Sequence, residues 1–123
     1  MLISLDYTGD IPIYQQLRNQ IVLGIATGDL KQGEKLPTIR ALSAGLGINM
    51  MTVSKAYQIL KQEGYISSDR RNGAWVSHQA GNTAIMEKLE GDLRLTVAEA
   101  RLGGVEEEVI VALCRKFYHE GEE

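Results

Sequence analysis

Between Lys35 and Gly73 the chain gathers Lys35, Thr38, Arg40, Asn49, Thr52, Ser54, Lys55, Arg70, Arg71 and Asn72, a set rich in hydrogen-bond donors and poor in carboxylates. Such donors suit anions and polar edges. Guanidinium and ammonium groups pair with phosphate oxygens, lysine donates to guanine, and hydroxyls bond either a base or a phosphate. Met50 and Met51 add apolar surface that can meet a thymine methyl group. Catalytic chemistry has no comparable set. His78 and His119 lack partners spaced for a metal or for a nucleophile–base pair, and no glycine-rich loop leads from a strand into a helix as a phosphate cradle does. A single cysteine, Cys114, excludes an internal disulfide and a cysteine-based zinc site. Its neighbours Val111, Ala112 and Leu113 predict a buried structural thiol. The sequence points to no enzyme, no metal and no cofactor.

Two short helices must position these donors. Thr38 is an N-cap for a helix over Ile39 to Leu46, with Ile39, Leu42 and Leu46 on one face and Gly45 and Gly47 ending it. Asn49 caps a second helix, Met50 to Glu63, closed by Gly64. On it Val53, Ala56, Tyr57 and Leu60 share one face, opposite Met51, Lys55, Gln58 and Gln62. Two helices joined by a short Gly-containing turn form a helix-turn-helix, whose second helix can enter a DNA major groove. A helix hairpin used only for packing has the same periodicity, so the flanking segments decide. Tyr65–Ser68 and Ala74–Ser77 read as strands, and Asn72-Gly73 between them is the strongest short hairpin signal. A hairpin with Arg70 and Arg71 at its tip, directly after such a helix, is a wing. In a winged helix the N-terminal half of the second helix faces the groove, which points Met51, Thr52, Ser54 and Lys55 at DNA. Met50 and Met51 either meet bases or pack on the preceding turn. Asn49 is first a cap. Lys35 and Thr38 lie where a phosphate meets backbone N–H groups at a helix start, while Arg70 and Arg71, with Asn72 and Gly73 shaping the tip, suit phosphate or minor-groove contact.

The anchors Pro12-Ile13-Tyr14-Gln15-Gln16, Gly28-Asp29-Leu30, Gly33-Glu34-Lys35-Leu36-Pro37 and Arg40-Ala41-Leu42 occur in one order with Thr52-Val53, Glu63-Gly64 and the wing. Over about two thirds of its length the chain thereby resembles the GntR family of bacterial transcription regulators, and its short tail resembles the YtrA-like subfamily. That resemblance implies a DNA-contacting arginine at Arg40. It also implies two terminal helices without a ligand-binding domain; about 45 residues after the wing are too few for an ordinary pocket domain, so any small-molecule effector is left unassigned. The chain departs from the family at Met50, where relatives usually have Arg or Pro, and at Arg71, where the wing usually has Gly. Both departures bear on the target sequence.

Upstream, a helix is expected to open at Asp10 or Ile11 with Pro12 in its first turn and Ile13, Leu17, Ile21 and Ile25 along one face. Tyr14 is expected at a core position, with a phosphate contact as the alternative. Lys35-Leu36 reads as a one-bridge strand beside the wing, and Ile13, Leu17, Ile21, Leu42, Val53, Leu60, Ile66 and Trp75 as the core. After an Ala80-Gly81-Asn82 linker, Thr83 is a candidate cap for a helix reaching Leu102. Met86, Leu89, Leu93, Val97 and Ala100 recur along it at spacings of three and four. Gly103-Gly104 breaks it, and a last helix starts at Glu106. There Val109, Ile110, Val111, Leu113, Cys114, Phe117 and Tyr118 cover more than one stripe, more than a helix hairpin can hide within itself. Self-association through Leu89, Leu93, Val97, Val109, Ile110, Leu113 and Phe117 hides that surface better than capping the winged helix within one monomer.

Net charge is −3, which by itself argues against a nucleic-acid partner. Its distribution reverses the argument. Residues 1–78 hold eight Lys/Arg against six Asp/Glu, a net of +2, and residues 79–123 hold five against ten, a net of −5. With no signal peptide and no apolar run long enough to span a bilayer, the expected location is the cytoplasm. The sequence therefore predicts a mainly α, α+β winged helix: a DNA-binding domain over 1–78, then a two-helix dimerisation tail over 79–123. It would act as a homodimer on double-stranded DNA, without membrane. A winged helix used as a protein-docking module is the alternative. The acidic balance favours docking slightly, and Arg40, Lys55, Arg70 and Arg71 on one face favour DNA.

Overall fold

The computed structural model describes residues 2–78, 80–81 and 84–122. The chain divides into two compact units, Met1–Gln79 and Ala80–Glu123. The first holds α1 (Ile13–Thr27), α2 (Ile39–Leu46), α3 (Met50–Gln62), β1 (Ile66–Asp69) and β2 (Gly73–Val76). The second holds α4 (Ala84–Leu102) and α5 (Glu107–Tyr118). The mainly α winged-helix architecture followed by two helices is the one expected.

α1 starts two or three residues later than the pattern suggests. Pro12 has φ −55° and ψ 146°, so it stays extended while its carbonyl accepts the N–H groups of Gln15 and Gln16 at 3.0 and 3.1 Å. A proline also pushes the residue before it, Ile11, out of the α region. Leu17 and Ile21 are fully buried against α3. Gly24 lets Leu30 fold back onto the helix, where a Cβ would come within 3.1 Å of the leucine Cδ1. The arm before α1 is tied down. Gln20 accepts the Ser4 N–H, Gln16 accepts the Asp6 N–H at 2.8 Å, and the Tyr7 hydroxyl donates to the Leu46 carbonyl at the end of α2.

Local chemistry sets the limits of α2 and α3. Thr38 Oγ1 accepts the Ala41 N–H at 3.0 Å, and Asn49 Oδ1 accepts the Met51 N–H at 2.7 Å. Between the helices the Ser43 hydroxyl donates to the Ile48 carbonyl while the Ile48 N–H returns a bond to the Ser43 carbonyl. The turn is thus closed from both sides. Val53, Ala56, Tyr57 and Leu60 form the buried face of α3. The Tyr57 hydroxyl donates to the Pro37 carbonyl at 2.7 Å, and burial pushes its pKa up to about 12.

The hairpin pairs Ile66 with Val76 and Asp69 with Gly73, one residue nearer the tip than expected at each strand. Asp69 explains the shift, because its carboxylate accepts from Asn72 and carries the ladder to the base of the loop. A third segment joins as expected: Lys35 bridges Trp75, and Leu36 N–H donates to the Ala74 carbonyl at 2.9 Å. Trp75 is half-buried rather than a core residue. With side chains alternating along a strand, Ile66 and Val76 take the inner face and Trp75 takes the other. Ile13 is also only half-buried, and Leu30, Leu36 and Val76 complete the core in their place.

Arg18 joins α1 to the end of α3. Its Nε and second guanidinium nitrogen donate to the two oxygens of Glu63 at 2.8 and 3.1 Å, and its guanidinium lies 5.6 Å from the Tyr65 ring centroid.

In the second unit the Val105 N–H bonds the Ala100 carbonyl across the Gly103-Gly104 turn, leading α4 into α5. Glu106 stands at the N-cap, so α5 begins one residue after the expected start, with Glu107 and Glu108 in its first turn and Arg115 and Lys116 in its last. The expected cap at Thr83 lies outside the described residues. No described residue of α4 or α5 is buried. Cys114 is exposed, contrary to the buried thiol expected, because nothing within the two-helix unit covers its side of α5. Among the described residues no helix is long and apolar enough to cross a membrane, and no cluster could hold a metal ion.

Candidate nucleic-acid interface

The exposed side of α3 lies between two surface depressions. One, of about 570 Å³, is formed by the start of α2, α3 and the hairpin, and Thr38, Arg40, Ser54, Gln58, Lys61, Ser68, Asp69 and Gly73 line it. The other, of about 590 Å³, is lined by Tyr14, Met51, Thr52, Ser54, Lys55 and Gln58. Ser54 and Gln58 belong to both and so form the ridge between them. The structure therefore brings Thr38, Arg40, Ser54 and Gly73 together on one side, and Met51, Thr52, Ser54 and Lys55 on the other.

Charge on this surface is little neutralised. Among the described residues the ion pairs are Arg18–Glu63, Lys88–Asp92 and His119–Glu122, so Lys35, Arg40, Lys55, Arg70 and Arg71 have no carboxylate partner. Lys55 instead holds its ammonium 3.9 Å from the centroid of the Tyr14 ring. Tyr14 itself packs half-buried against the core, as expected of its place on α1. Met51 is 79% exposed, which removes packing on the preceding turn as its role; Met50 is also exposed.

Asn49, Asn72 and Gly73 shape the surface. The Asn49 side-chain oxygen Oδ1 is occupied by the Met51 N–H. Asn72 donates its backbone N–H to Asp69 at 2.6 Å and its side-chain amide at 3.1 Å, and these bonds hold the Asp69 carboxyl below its ordinary range. Gly73, at φ 72°, takes the left-handed turn that closes the three-residue loop Arg70-Arg71-Asn72. Lys35, Asn49, Met50, Arg70, Arg71 and Asn72 line neither depression. The sequence reading left out Gln58 and Lys61 as groove residues, although 54, 58 and 61 share one helix face. Lys61 donates to the Ser68 carbonyl at 3.3 Å and so reaches from α3 to β1.

A convex helix carrying hydroxyl, amide and ammonium donors, flanked by a short hairpin with a cationic tip, fits a groove edged by phosphates. Comparison with known proteins agrees. The family of bacterial regulatory proteins named for gntR matches residues 12–76. The transcriptional repressor YtrA of Bacillus subtilis is 34% identical over 108 residues, covering 85% of this chain and 83% of that protein. The matched stretch is only 14% and 17% of the length of two further regulators. The crystal structure of a transcriptional antiterminator from Listeria monocytogenes superposes with a TM-score of 0.86 at 27% identity, covering 95% of this chain and 90% of that one. The DNA-binding domain of AraR, solved in complex with an operator, superposes with a TM-score of 0.56 at 25% identity, covering 61% of this chain and 96% of that one. The chain belongs to the GntR family of bacterial regulatory proteins, and is a DNA-binding transcription regulator of a non-enzymatic family.

Proposed function

We propose that the protein is a cytoplasmic repressor that binds an inverted-repeat operator as a homodimer. The observation that carries this reading is the outward surface of α3, where Ser54 shares one depression with Arg40 of α2 and with the hairpin residues Ser68 and Gly73, while Met51, Thr52 and Lys55 line the other. In this reading α3 lies in the major groove. Lys55 donates to guanine, Thr52 bonds a base or phosphate, and Met51 meets a thymine methyl, with Met50 and Asn49 at the groove edge. Arg40, Lys35 and Thr38 take phosphates near the start of α2, and Arg70 and Arg71 reach the backbone or minor groove from a tip set by Asn72 and Gly73. The operator complex of AraR and the repressor YtrA support the reading.

Surface left uncovered supports the dimer. Leu89, Leu93, Val109, Leu113 and Phe117 are exposed, with Val97 and Ile110 half-buried beside them. A second copy of α4 and α5 buries this surface, and two-fold symmetry then sets two α3 helices against two inverted half-sites.

Selection of bound sequences from a random duplex pool tests the reading. The expected product is an inverted repeat whose half-sites lie about one helical turn, or a multiple of it, apart. Lys55→Ala or Thr52→Ala should weaken that site by about 1–3 kcal/mol and relax its sequence preference. An unenriched pool, or preference unchanged in both variants, defeats it.

A further inference from the structure

We propose that Tyr14 is a positioning residue for base recognition, its ring holding the Lys55 ammonium where the helix meets the major groove; this rests on the operator reading above. A lysine on an exposed helix face spreads over many rotamers, and ordering it on binding costs affinity. Here the ammonium sits 3.9 Å from the ring centroid, on the electron-rich face that attracts cations. The ring is the fixed partner. Tyr14 stands in the first turn of α1, packs half-buried against the core, and is followed three residues later by the fully buried Leu17.

The choice of an aromatic ring matters for what Lys55 can still do. A carboxylate in its place would take up the ammonium's N–H donors and repel phosphates. The π face engages at most one of the three donors and adds no charge, so the side chain is oriented while two N–H bonds remain free for guanine O6 and N7 or a phosphate oxygen. Among the described residues Lys55 has no ion pair, and on α3 positions 51, 52, 58 and 59 around it hold no carboxylate. Tyr14, Lys55, Met51 and Thr52 line the same depression, so the oriented ammonium lies beside the residues placed against bases.

The experiment measures two things in the full chain. One is the ratio of affinities for the selected operator and for random duplex. The other is the ring-current shift of the Lys55 ε-methylene protons without DNA. Tyr14→Leu should lower the ratio about three- to ten-fold, and Tyr14→Phe should restore it. Tyr14→pentafluorophenylalanine keeps size and packing but reverses the ring quadrupole, and should behave as Tyr14→Leu does. In a Lys55→Ala background, Tyr14→Leu should cost nothing further. The ε-methylene protons should be shifted upfield in the wild type and in Tyr14→Phe, and unshifted in Tyr14→Leu. Absence of that shift in the wild type, an unaltered ratio in the fluorinated variant, or losses that multiply independently overturn the proposal while leaving the operator intact. A wild-type protein that prefers no duplex overturns the operator reading and this one together.

Discussion

Asp69 closes the tip of the wing on Asn72, accepting its backbone N–H at 2.6 Å and its side-chain amide at 3.1 Å. The contact brackets Arg70 and Arg71, so a carboxylate that touches no DNA in the proposed complex fixes where two cations are presented. Chiefly the Asn72 N–H, then its side-chain amide, lowers the Asp69 pKa from the ordinary 3.8. A carboxyl depressed by folding stabilises its contacts above the unfolded pKa and loses them as pH falls through the folded one. The tip should therefore be intact at neutral pH and loosen only below about pH 4. The Asn72 amide resonance should titrate with a midpoint under 3.8. A midpoint at or above that value contradicts the contact, and Asp69→Ala should abolish the titration altogether.

The pair of Arg18 and Glu63 makes a second, purely structural prediction. Arg18 is 12% exposed and Glu63 34%, and the bonds are bidentate. Partial solvation of the carboxylate weakens the pair relative to a fully buried one. Arg18→Met should lower stability by about 1–2 kcal/mol, by the same reasoning on a half-solvated ion pair. Urea unfolding checks this, and a midpoint that does not move removes the pair from the forces holding α1 on α3.

How much of this was legible in sequence follows from the range of each interaction. The starts of α2 and α3 could be read because Thr38 and Asn49 act on N–H groups two or three residues away. The winged-helix order could be read because Asn72-Gly73 dictates a turn locally. The strand ends lie one residue nearer the tip than expected because Asp69 and Gly73 read locally as loop, and only the bonds of Asp69 to Asn72 make it the last ladder residue. Trp75, expected in the core, yields that place to Val76, which shares a face with Ile66 by strand parity. The Arg18–Glu63 pair spans 45 residues and leaves no local pattern. Lys61 and Gln58 were within reach of helical periodicity, but that the wing folds over them to make a groove is a tertiary fact.

Arg70 and Arg71 supply the third prediction. Both are exposed at the tip that Asp69 and Asn72 close and lie outside the depressions along α3, so their contribution should be to phosphates of any sequence. Replacing both with Ala should lower affinity for operator and random duplex alike. The slope of log affinity against log salt should fall by up to about two units. An unchanged slope places the wing off the DNA.

The last prediction separates the work of the two units. The winged helix has its own core in Leu17, Ile21, Leu42, Val53, Leu60, Ile66 and Val76, while α4 and α5 leave Leu89, Leu113 and Phe117 uncovered. A chain ending at His78 should therefore stay folded and sediment as a monomer. One winged helix reads a few base pairs, and two on a common tether read an inverted repeat with the second module at millimolar effective concentration. Losing the tail should then cost on the order of 10²–10⁴ in operator affinity. Leu113→Asp with Phe117→Asp in the full chain should reproduce the loss, since charge on that face cannot be buried against a second copy. If the shortened chain still sediments as a dimer, or holds the operator as tightly as the full chain, the winged helix carries its own interface and α4 and α5 serve something else.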